Sequence, residues 1–529
     1  MTTLKIAGKY VGALTTGLLL ASLYAPLEWG LAAWIALVPL LLVLRDTSFL
    51  SAARLGLVAG LAFWLCSLAW LSILTIPGWI ALAAYCALYP MFFAIGASWA
   101  FRCFARRRWF EDIGIMLWLA VLWVALEYGR ATLCTGFPWN ALGVSQYRSL
   151  TVIQIARLGG VYLVSGLIVW VNAAVALTIF RYIDRPASPT RHFHYELMIG
   201  FLAVALAVSY GWRVLGAPAP AVQKVRIAVV QPNIPQEQKW VPETVDLIYS
   251  RLLSLTQVAV RVPGLHLIVW PETAVPDDIR DSAPSYDLVY QLVTNGVPIL
   301  VGSMDTEWRD EAKPLFYNSS FLFGTDGAIV QGYDKRHLVI FGEYIPLQNA
   351  LPFVKALTPI QESFTPGRTS TVFRLEEPAV AFSSLICFED TLAPLARESV
   401  RNGARLLINQ TNDGWFDPSS ASRQHMAQCV FRCVENGVPA VRSANTGVSC
   451  SIDRSGRVYD VLKDDRGHCT VIAGVQTTTV AVPGEDMPRT FYTVHGDVFA
   501  GGCAALAVLC LVMNLARRLR CRGVAPMPS

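Results

Sequence analysis

Three residues at the ends of short apolar segments could together carry out covalent chemistry on a carbonyl group. Cys387 follows the apolar run 383–386 and is a candidate nucleophile, because a thiolate attacks carbonyl carbon readily. Glu272 ends another apolar segment, and its carboxylate could take the thiol proton. Lys335 ends a third, and its ammonium could stabilise the oxyanion that the attack creates. The three residue types together predict acyl transfer through a thioester.

Two of these residues also have a simpler structural explanation, and the surroundings of the third oppose its ionisation. Glu272 could cap a following helix, and Lys335 lies in a run of charged residues that could be solvated surface. Cys387 precedes Glu389 and Asp390, and two carboxylates raise the pKa of a thiol unless a cation offsets them. If Lys335 lies close to Cys387, it would both favour the thiolate and hold the oxyanion.

Composition and hydropathy indicate a membrane protein. The 529 residues are 54% hydrophobic and 15% charged, with a mean hydropathy of +0.44, whereas an ordinary soluble domain is about 25% charged. The net charge of +5 is spread evenly and does not indicate nucleic-acid binding. A membrane span needs about 20 apolar residues. We predict spans near 8–26, 30–45, 54–75, 78–101, 112–129, 160–181, 195–213 and 495–516.

Basic residues predict the orientation of these spans, because cytoplasmic loops are enriched in Lys and Arg. Basic residues precede the first span and follow the second, fourth, sixth and eighth, whereas the other loops carry few, apart from the loop after the fifth span. The residues are Lys5, Lys9, Arg45, Arg54, Arg102, 106–108, Arg181, Arg185, Arg191, Arg517, Arg518, Arg520 and Arg522. Both termini are therefore predicted to be cytoplasmic, with the interval 220–490 on the opposite side, which is the periplasm of a Gram-negative cell.

The loop after the fifth span contains the turn-rich aromatic sequence TGFPWN at 135–140. It could be an interfacial anchor of Trp and Phe, or it could line an entrance for lipid. Glu127 precedes the loop and could be a partner of Arg130 rather than a ligand of substrate.

The predicted organisation comprises a membrane domain, a linker, an extramembrane domain, a last span and a tail, at 1–215, 216–223, 224–490, 495–516 and 517–529. In the extramembrane domain, strands are predicted at 225–230, 265–270, 298–302, 319–323, 379–386, 405–409 and 448–452. Helices are predicted at 241–261, 284–295, 391–403 and 419–437. Continuous apolar strands that alternate with helices indicate an α/β sheet buried on both faces.

The motifs around the three candidate residues resemble the nitrilase superfamily. Glu272, Lys335 and Cys387 occur in the order of its triad, within WPET, YDKRHL and CFED. Further similar segments are VVQPN (229–233), FGEYIP (341–346), NDGWF (412–416) and RSANTG (442–447). With TGFPWN, these segments are similar to the apolipoprotein N-acyltransferase family of that superfamily. The resemblance implies an α-β-β-α sandwich attached to a multi-span helical domain.

The resemblance also implies roles for individual residues. Glu272 would be the general base, Lys335 the oxyanion stabiliser and Cys387 the nucleophile, with Glu343 and Glu389 as supporting acids. Possible substrate contacts are Trp415, Trp240 and Phe388, although aromatic residues more often belong to a core. Phe388 and Ile340 stand where family members more often have Tyr and Pro.

The function implied is transfer of the sn-1 acyl chain of a glycerophospholipid to the α-amino group of a lipoprotein's N-terminal diacylglyceryl-cysteine. Membrane lipids would be the other partners, and the enzyme would be a monomer in the bacterial inner membrane. No cofactor or metal is expected, because Cys429 and Cys433 have no second Cys or His pair at zinc spacing. A membrane-tethered amidase or nitrilase and a ligand-binding transporter or receptor are the alternatives. Segment 340–370 is predicted to close over the site as a lid.

Overall fold

The computed structural model describes residues 2–103, 109–184, 194–217, 222–308, 314–345 and 363–522. These residues form two compact units, one containing Met1–Gly216 with His495–Ser529 and the other Ala217–Val494. Some predicted features lie outside the described residues. They are the basic residues 106–108, Arg185 and Arg191, half of the linker, the greater part of the predicted lid, and the end of the tail.

The first unit is helical. Its helices are α1 (Thr2–Ser22), α2 (Val38–Leu44), α3 (Phe49–Ser67), α4 (Ile76–Cys103), α5 (Trp109–Thr132), α6 (Leu150–Ile153), α7 (Ala156–Asp184), α8 (Tyr195–Leu215) and, after the second unit, α14 (Val498–Arg522). Within the described ranges, α3, α4, α5, α7 and α8 are long and apolar enough to cross a bilayer. Shorter apolar helices cover Ile6–Ser22, Gly30–Leu44 and Val498–Asn514.

The segment 30–45, predicted as one span, consists of two short helices. A 3₁₀ helix covers Gly30–Trp34, and α2 begins four residues later with Pro39 in its first turn, a position where proline's missing N–H costs nothing. The arrangement of seven spans followed by an eighth stays a prediction.

The loop 135–140 is held inside the helical unit by two buried side chains. The guanidinium of Arg130 donates to the carbonyls of Phe137 (2.6 Å) and Trp139 (2.7 Å). The carboxylate of Glu127 accepts from the indole of Trp123 (2.9 Å) and the backbone N–H of Leu142 (2.7 Å). Arg130 therefore satisfies two carbonyls of this loop, and Glu127 fixes the backbone just after it, where little water is available.

The second unit contains two sheets. Its strands are β1 (Val222–Gln231), β2 (Leu267–Val269), β3 (Ile299–Trp308), β4 (Pro314–Phe323), β5 (Ile329–Asp334), β6 (Phe373–Leu375), β7 (Val380–Ile386), β8 (Leu406–Thr411), β9 (Ala440–Ala444), β10 (Cys450–Ile452), β11 (Val458–Tyr459) and β12 (Gly474–Pro483). The described strands are ordered β12-β1-β2-β3-β4-β5 in the first sheet and β11-β10-β9-β8-β7-β6 in the second. The helices are α9 (Val245–Val260), α10 (Ala283–Val293), α11 (Ala393–Arg401), α12 (Ala421–Asn436) and α13 (Phe491–His495).

Alternate residues of the central strands enter different apolar cores. Val225, Ile227 and Val229 of β1 pack between the sheets with residues such as Phe382 of β7. Ala228 and Val230 of the same strand face α9 and α10 on the outside of the first sheet. On the second sheet, α11 contacts β7 and α12. The predicted α-β-β-α sandwich is confirmed, because side chains alternate between the two faces of each strand.

One buried glutamine joins the two sheets by hydrogen bonds. Gln410 of β8 donates from Nε2 to the carbonyl of Trp270 beside the first sheet (2.7 Å). Its Oε1 accepts from the hydroxyls of Ser384 on β7 (3.0 Å) and Ser320 on β4. A polar link of this kind in an otherwise apolar layer is directional, so it constrains how the sheets lie on each other.

The predicted strands overlap β1, β2, β3, β4, β7, β8 and β10, but five strands were not predicted. They are β5, β6, β9, β11 and β12. The strand β9 is fully buried, yet it contains Arg442 and Ser443, so its sequence lacks a continuous apolar run. The strand β12 contains three consecutive threonines and is partly exposed along its length, which weakens the apolar pattern on which strand prediction depends.

Candidate active site

The candidate residues follow strands of both sheets. Glu272 comes three residues after β2, and Lys335 directly follows β5. Strand β5 runs parallel to β3 and β2, because β4 is antiparallel to both of its neighbours. The carboxyl ends of β2 and β5 therefore lie at one edge of the first sheet. Cys387 follows β7 of the second sheet, so the site is assembled from two sheets.

Lys335 lies in a buried cluster with two carboxylates and one amide. Its Nζ is 3.2 Å from Oε1 of Glu272 and 2.8 Å from Oε1 of Glu343. Asn318 of β4 donates to the same two oxygens at 2.8 and 3.1 Å. Lys335 is 1% exposed and Glu272 is 7% exposed. The two carboxylates raise the pKa of Lys335, although burial opposes them, so the ammonium stays charged.

Glu343 also binds the backbone close to Lys335. Its second oxygen accepts from the backbone N–H of Val339 at 2.9 Å. This carboxylate therefore fixes the lysine and its chain segment with two different oxygens. These contacts suit the predicted orienting role of Glu343. Of the two carboxylates, Glu272 accepts the shorter hydrogen bond from Asn318.

Cys387 adopts a backbone conformation that is uncommon for a residue with a side chain. Its φ is +52°, in the left-handed region that non-glycine residues rarely occupy. Such conformations cost free energy and concentrate at functional sites. The residue is partly exposed and packs against the core between the sheets. Asn409 of β8 donates to its carbonyl at 3.0 Å, which supports this turn.

The electrostatic surroundings keep the thiol of Cys387 protonated at rest. Burial raises the pKa of Cys387, Glu272 raises it further, and Lys335 lowers it. The thiol therefore has to lose its proton when a substrate arrives, and Glu272 is a base within the same charged cluster. The charge of Lys335 is shared by the carboxylates of Glu272 and Glu343, and its role towards the thiol stays a prediction.

Glu389 connects the segments that carry the nucleophile and the lysine. It is fully buried, and it accepts from the backbone N–H groups of Ile386 (2.8 Å), Arg336 (2.7 Å) and His337 (3.1 Å). The hydroxyl of Tyr333 donates to both of its oxygens. Burial raises the pKa of Glu389, and the backbone donors lower it. These contacts are those of a side chain that holds two loops together.

Lys239 is a buried cation near the site that the sequence did not predict. Its Nζ donates to the carbonyl of Glu272 (3.1 Å) and to the hydroxyl of Thr273 (2.6 Å). Burial lowers its pKa to about 8, against the opposing effects of Glu272 and Cys387. Thr273 has a φ of +41°, so Lys239 stabilises an unusual turn directly behind the candidate base.

Asn318 was also missed by sequence analysis. It lies within the strand β4, in the sequence YNSS, where no spacing relates it to Glu272 or Glu343. The polar stretch Asn318–Ser320 between apolar residues of one strand is the signal that could have identified it, because buried amides need hydrogen-bonding partners.

The aromatic residues predicted as substrate contacts are at or near the surface. Trp240 is 47% exposed and Trp415 is 39% exposed. The Nζ of Lys239 lies 5.9 Å from the ring centroid of Trp240. The ring of Phe388 stacks on His337 with centroids 6.0 Å apart. Contact of these residues with substrate stays a prediction.

Comparisons with known proteins cover both units. Residues 16–174 match the apolipoprotein N-acyltransferase N-terminal domain, and residues 226–482 match the carbon-nitrogen hydrolase family. An apolipoprotein N-acyltransferase of Geobacter metallireducens is 37% identical over 529 residues, covering 96% of each chain. One of Gloeobacter violaceus is 32% identical, covering 92% of this chain and 90% of the relative.

A solved Saccharomyces cerevisiae structure from the nitrilase superfamily is 18% identical, with a TM-score of 0.36, and covers 52% of this chain and 94% of its own.

The two-sheet α/β unit and its match define the class as a carbon-nitrogen hydrolase domain, joined in one chain to apolar helices of membrane-spanning length. The identity of 37% and 32% to the two relatives extends over 96% and 92% of this chain. The chain belongs to the apolipoprotein N-acyltransferase family, and it is a membrane protein. A membrane-tethered amidase or nitrilase is not favoured, because the helical unit also matches the acyltransferases.

Proposed function

We propose that this protein transfers an acyl chain from a glycerophospholipid to the α-amino group of the N-terminal diacylglyceryl-cysteine of a lipoprotein. This would be the final step of bacterial lipoprotein maturation. The full-length similarity to proteins named apolipoprotein N-acyltransferase carries the proposal. The buried cluster of Glu272, Lys335 and Glu343, within charge range of Cys387, supports it chemically.

In the first step, Glu272 accepts the proton of Cys387 while the sulfur attacks the sn-1 ester carbonyl. The resulting oxyanion is stabilised by the ammonium of Lys335. When the tetrahedral intermediate collapses, the C–O bond breaks and the leaving glycerol oxygen takes the proton from Glu272. The products are a lysophospholipid and an acyl thioester on Cys387.

In the second step, the α-amino group of the lipoprotein attacks the thioester carbonyl. Glu272 accepts a proton from the attacking nitrogen, and Lys335 again stabilises the oxyanion. The C–S bond breaks, the sulfur recovers its proton, and an amide is released. The cycle is ping-pong and draws only on protein side chains.

The supporting residues have distinct proposed roles. Glu343 would hold the Lys335 ammonium in place, and Glu389 would keep the loops of Cys387 and Lys335 in register. Trp240 and Trp415 are partly exposed and would contact the lipid substrates.

The protein is further proposed to be a monomer that spans the bacterial inner membrane several times. The distribution of basic residues supports cytoplasmic termini and a periplasmic catalytic unit. Phospholipid donors and diacylglyceryl-lipoprotein acceptors are both membrane-anchored molecules, which accounts for the attachment of helices of spanning length to a hydrolase-type fold.

The test is intact-protein mass spectrometry of the full-length protein after incubation with a phospholipid of defined acyl chains. One added acyl mass is expected, and it should disappear after hydroxylamine treatment and in Cys387→Ala. The matched control is Cys469→Ala, which removes a partly exposed cysteine elsewhere in the same unit and should keep the adduct. An adduct that persists in Cys387→Ala would contradict the proposed nucleophile.

A further inference from the structure

A buried cluster of four charged side chains lies beside the nucleophile and has no part in the steps above. His425 of α12 lies between two carboxylates, with Nε2 2.8 Å from Oδ1 of Asp390 and Nδ1 2.9 Å from Oδ1 of Asp413. Arg442 of β9 pairs with Oδ2 of Asp390, and its Nη2 is 3.9 Å from Oδ2 of Asp413. All four residues are at most 3% exposed.

The two hydrogen bonds of the imidazole define its protonation state. Ionised carboxylate oxygens are acceptors only, so each ring nitrogen that faces one has to donate a proton. A neutral imidazole has a single N–H, whereas the imidazolium has two. The geometry around His425 therefore fits the charged ring. In that state the cluster contains two negative and two positive charges and is neutral as a whole.

The cluster is connected to Cys387 by both of its carboxylates. Asp390 is in the same 3₁₀ helix as the nucleophile, Cys387–Thr391. Asp413 follows β8 and accepts from the hydroxyl of Thr411 (3.3 Å), and Thr411 itself lowers the pKa of Cys387. The negative charge of Asp413 raises the pKa of Cys387. Any loss of positive charge from the cluster would strengthen this effect.

We propose that His425 is a positioning residue that remains doubly protonated during catalysis. It holds the 3₁₀ helix of Cys387 to the end of β8 through Asp390 and Asp413. Its positive charge offsets the negative charge of Asp413 that acts on the thiol. This inference rests on the proposed role of Cys387 and adds a residue on which the reactivity of that thiol depends.

The pH range follows from the groups that face His425. Burial lowers the pKa of His425 and Arg442 opposes its charge, but Asp390 and Asp413 outweigh both and raise the pKa to about 9. On its own helix, the buried Cys429 follows His425 by one turn and also interacts with Arg442, whereas Arg423 is partly exposed. His425 is therefore charged at neutral pH and loses its proton as the pH rises through about 9.

The test measures how fast iodoacetamide alkylates Cys387 in the full-length protein, by mass spectrometry of the peptide that contains it, as a function of pH. In His425→Gln, alkylation near neutral pH is expected to be slower, by about tenfold for each unit by which the pKa of the thiol rises, because the thiolate fraction falls in that proportion. The difference should shrink above a pH of about 9, where the unmodified protein loses the same charge.

The matched control is His468→Gln, which removes an exposed histidine whose Nδ1 lies 3.0 Å from Oδ2 of Asp464. It should follow the unmodified protein at every pH. A ratio between His425→Gln and the unmodified protein that stays constant with pH would show a packing role alone and overturn the inference. Equal rates at every pH would overturn it as well.

A second variant separates charge from folding. Asp413→Asn removes the carboxylate next to the thiol, so it should accelerate alkylation by itself and should recover part of the rate when combined with His425→Gln. If neither effect occurs, the charge account fails. Alkylation is measured without lipid, so absence of an acyl adduct would count against the proposed function, whereas a flat pH ratio would count against His425.

Discussion

Replacing Lys335 by Met would test the cluster on which the proposed chemistry depends. The substitution keeps most of the side-chain volume and removes the charge. It would leave Glu272 and Glu343, which now lie 3.2 and 2.8 Å from the same ammonium, facing each other without a cation. Removing one partner of a buried ion pair costs about 3–5 kcal/mol, because the remaining charge is uncompensated.

This cost can be converted into a change in melting temperature. For a unit of this size, a loss of 1 kcal/mol lowers Tm by about 2–4 °C, so Lys335→Met is expected to lower it by roughly 6–20 °C. The acylation rate of Cys387 should fall further than stability alone explains. Loss of one group that stabilises an oxyanion typically reduces the rate by about 10²–10³-fold.

The assay combines thermal unfolding with the time course of adduct formation by mass spectrometry, below the Tm of the variant. Lys463→Met is the matched control, since this lysine is exposed in the same unit and should change neither quantity. A variant that melts lower but forms the adduct at an undiminished rate would refute the assignment of Lys335 to the oxyanion. An unchanged Tm would refute the interpretation of the cluster as a buried ion network.

Two further substitutions address residues that hold the site together. Glu389→Gln replaces a carboxylate oxygen by an amide donor opposite backbone N–H groups. It should lower the free energy of unfolding, measured in urea, by about 1–3 kcal/mol and should slow the acylation of Cys387. An unchanged acylation rate would contradict the role of Glu389 in aligning the loops. Lys239→Met should lower the free energy of unfolding by an amount that grows as the pH rises above about 8. The reason is that burial depresses the pKa of Lys239 in the folded state, so the native state gains stability as this lysine loses its proton. A loss of stability that does not change with pH would show that the burial of Lys239 is not its cause.

The general architecture could be predicted from the sequence because it depends on local patterns. Apolar segments of spanning length and buried strands that alternate with helices are visible in any short window. The positions of Glu272 and Cys387 at strand ends could be predicted for the same reason, whereas the strand β5 that precedes Lys335 was not among the predicted strands. The contact between Lys335 and Glu343 spans eight residues and joins two neighbouring motifs, YDKRHL and FGEYIP.

The rest of the site depends on contacts between distant segments. Lys239 meets the carbonyl of Glu272 across 33 residues, and His425 meets Asp390 across 35. No spacing in the sequence relates such pairs. The helix α12 is a related case, because most of its polar residues are buried in hydrogen-bonded networks, so an amphipathic pattern cannot show which face carries function.

The bridge from Gln410 to Trp270 and the serines has a consequence for how the enzyme would lose activity. Glu272 and Lys335 follow strands of the first sheet, and Cys387 follows a strand of the second. A displacement of one sheet relative to the other by about an ångström would therefore move the nucleophile away from the base and the ammonium while both sheets stayed folded. Apolar packing strongly opposes separation of the two sheets, because apolar surface would be exposed to water, but it opposes sliding less, because apolar contacts are not directional. The directional hydrogen bonds of Gln410, together with those of Glu389 to segments of both sheets, resist such sliding. Heat or detergent that weakens these bonds is therefore expected to abolish activity before any helix or strand unfolds.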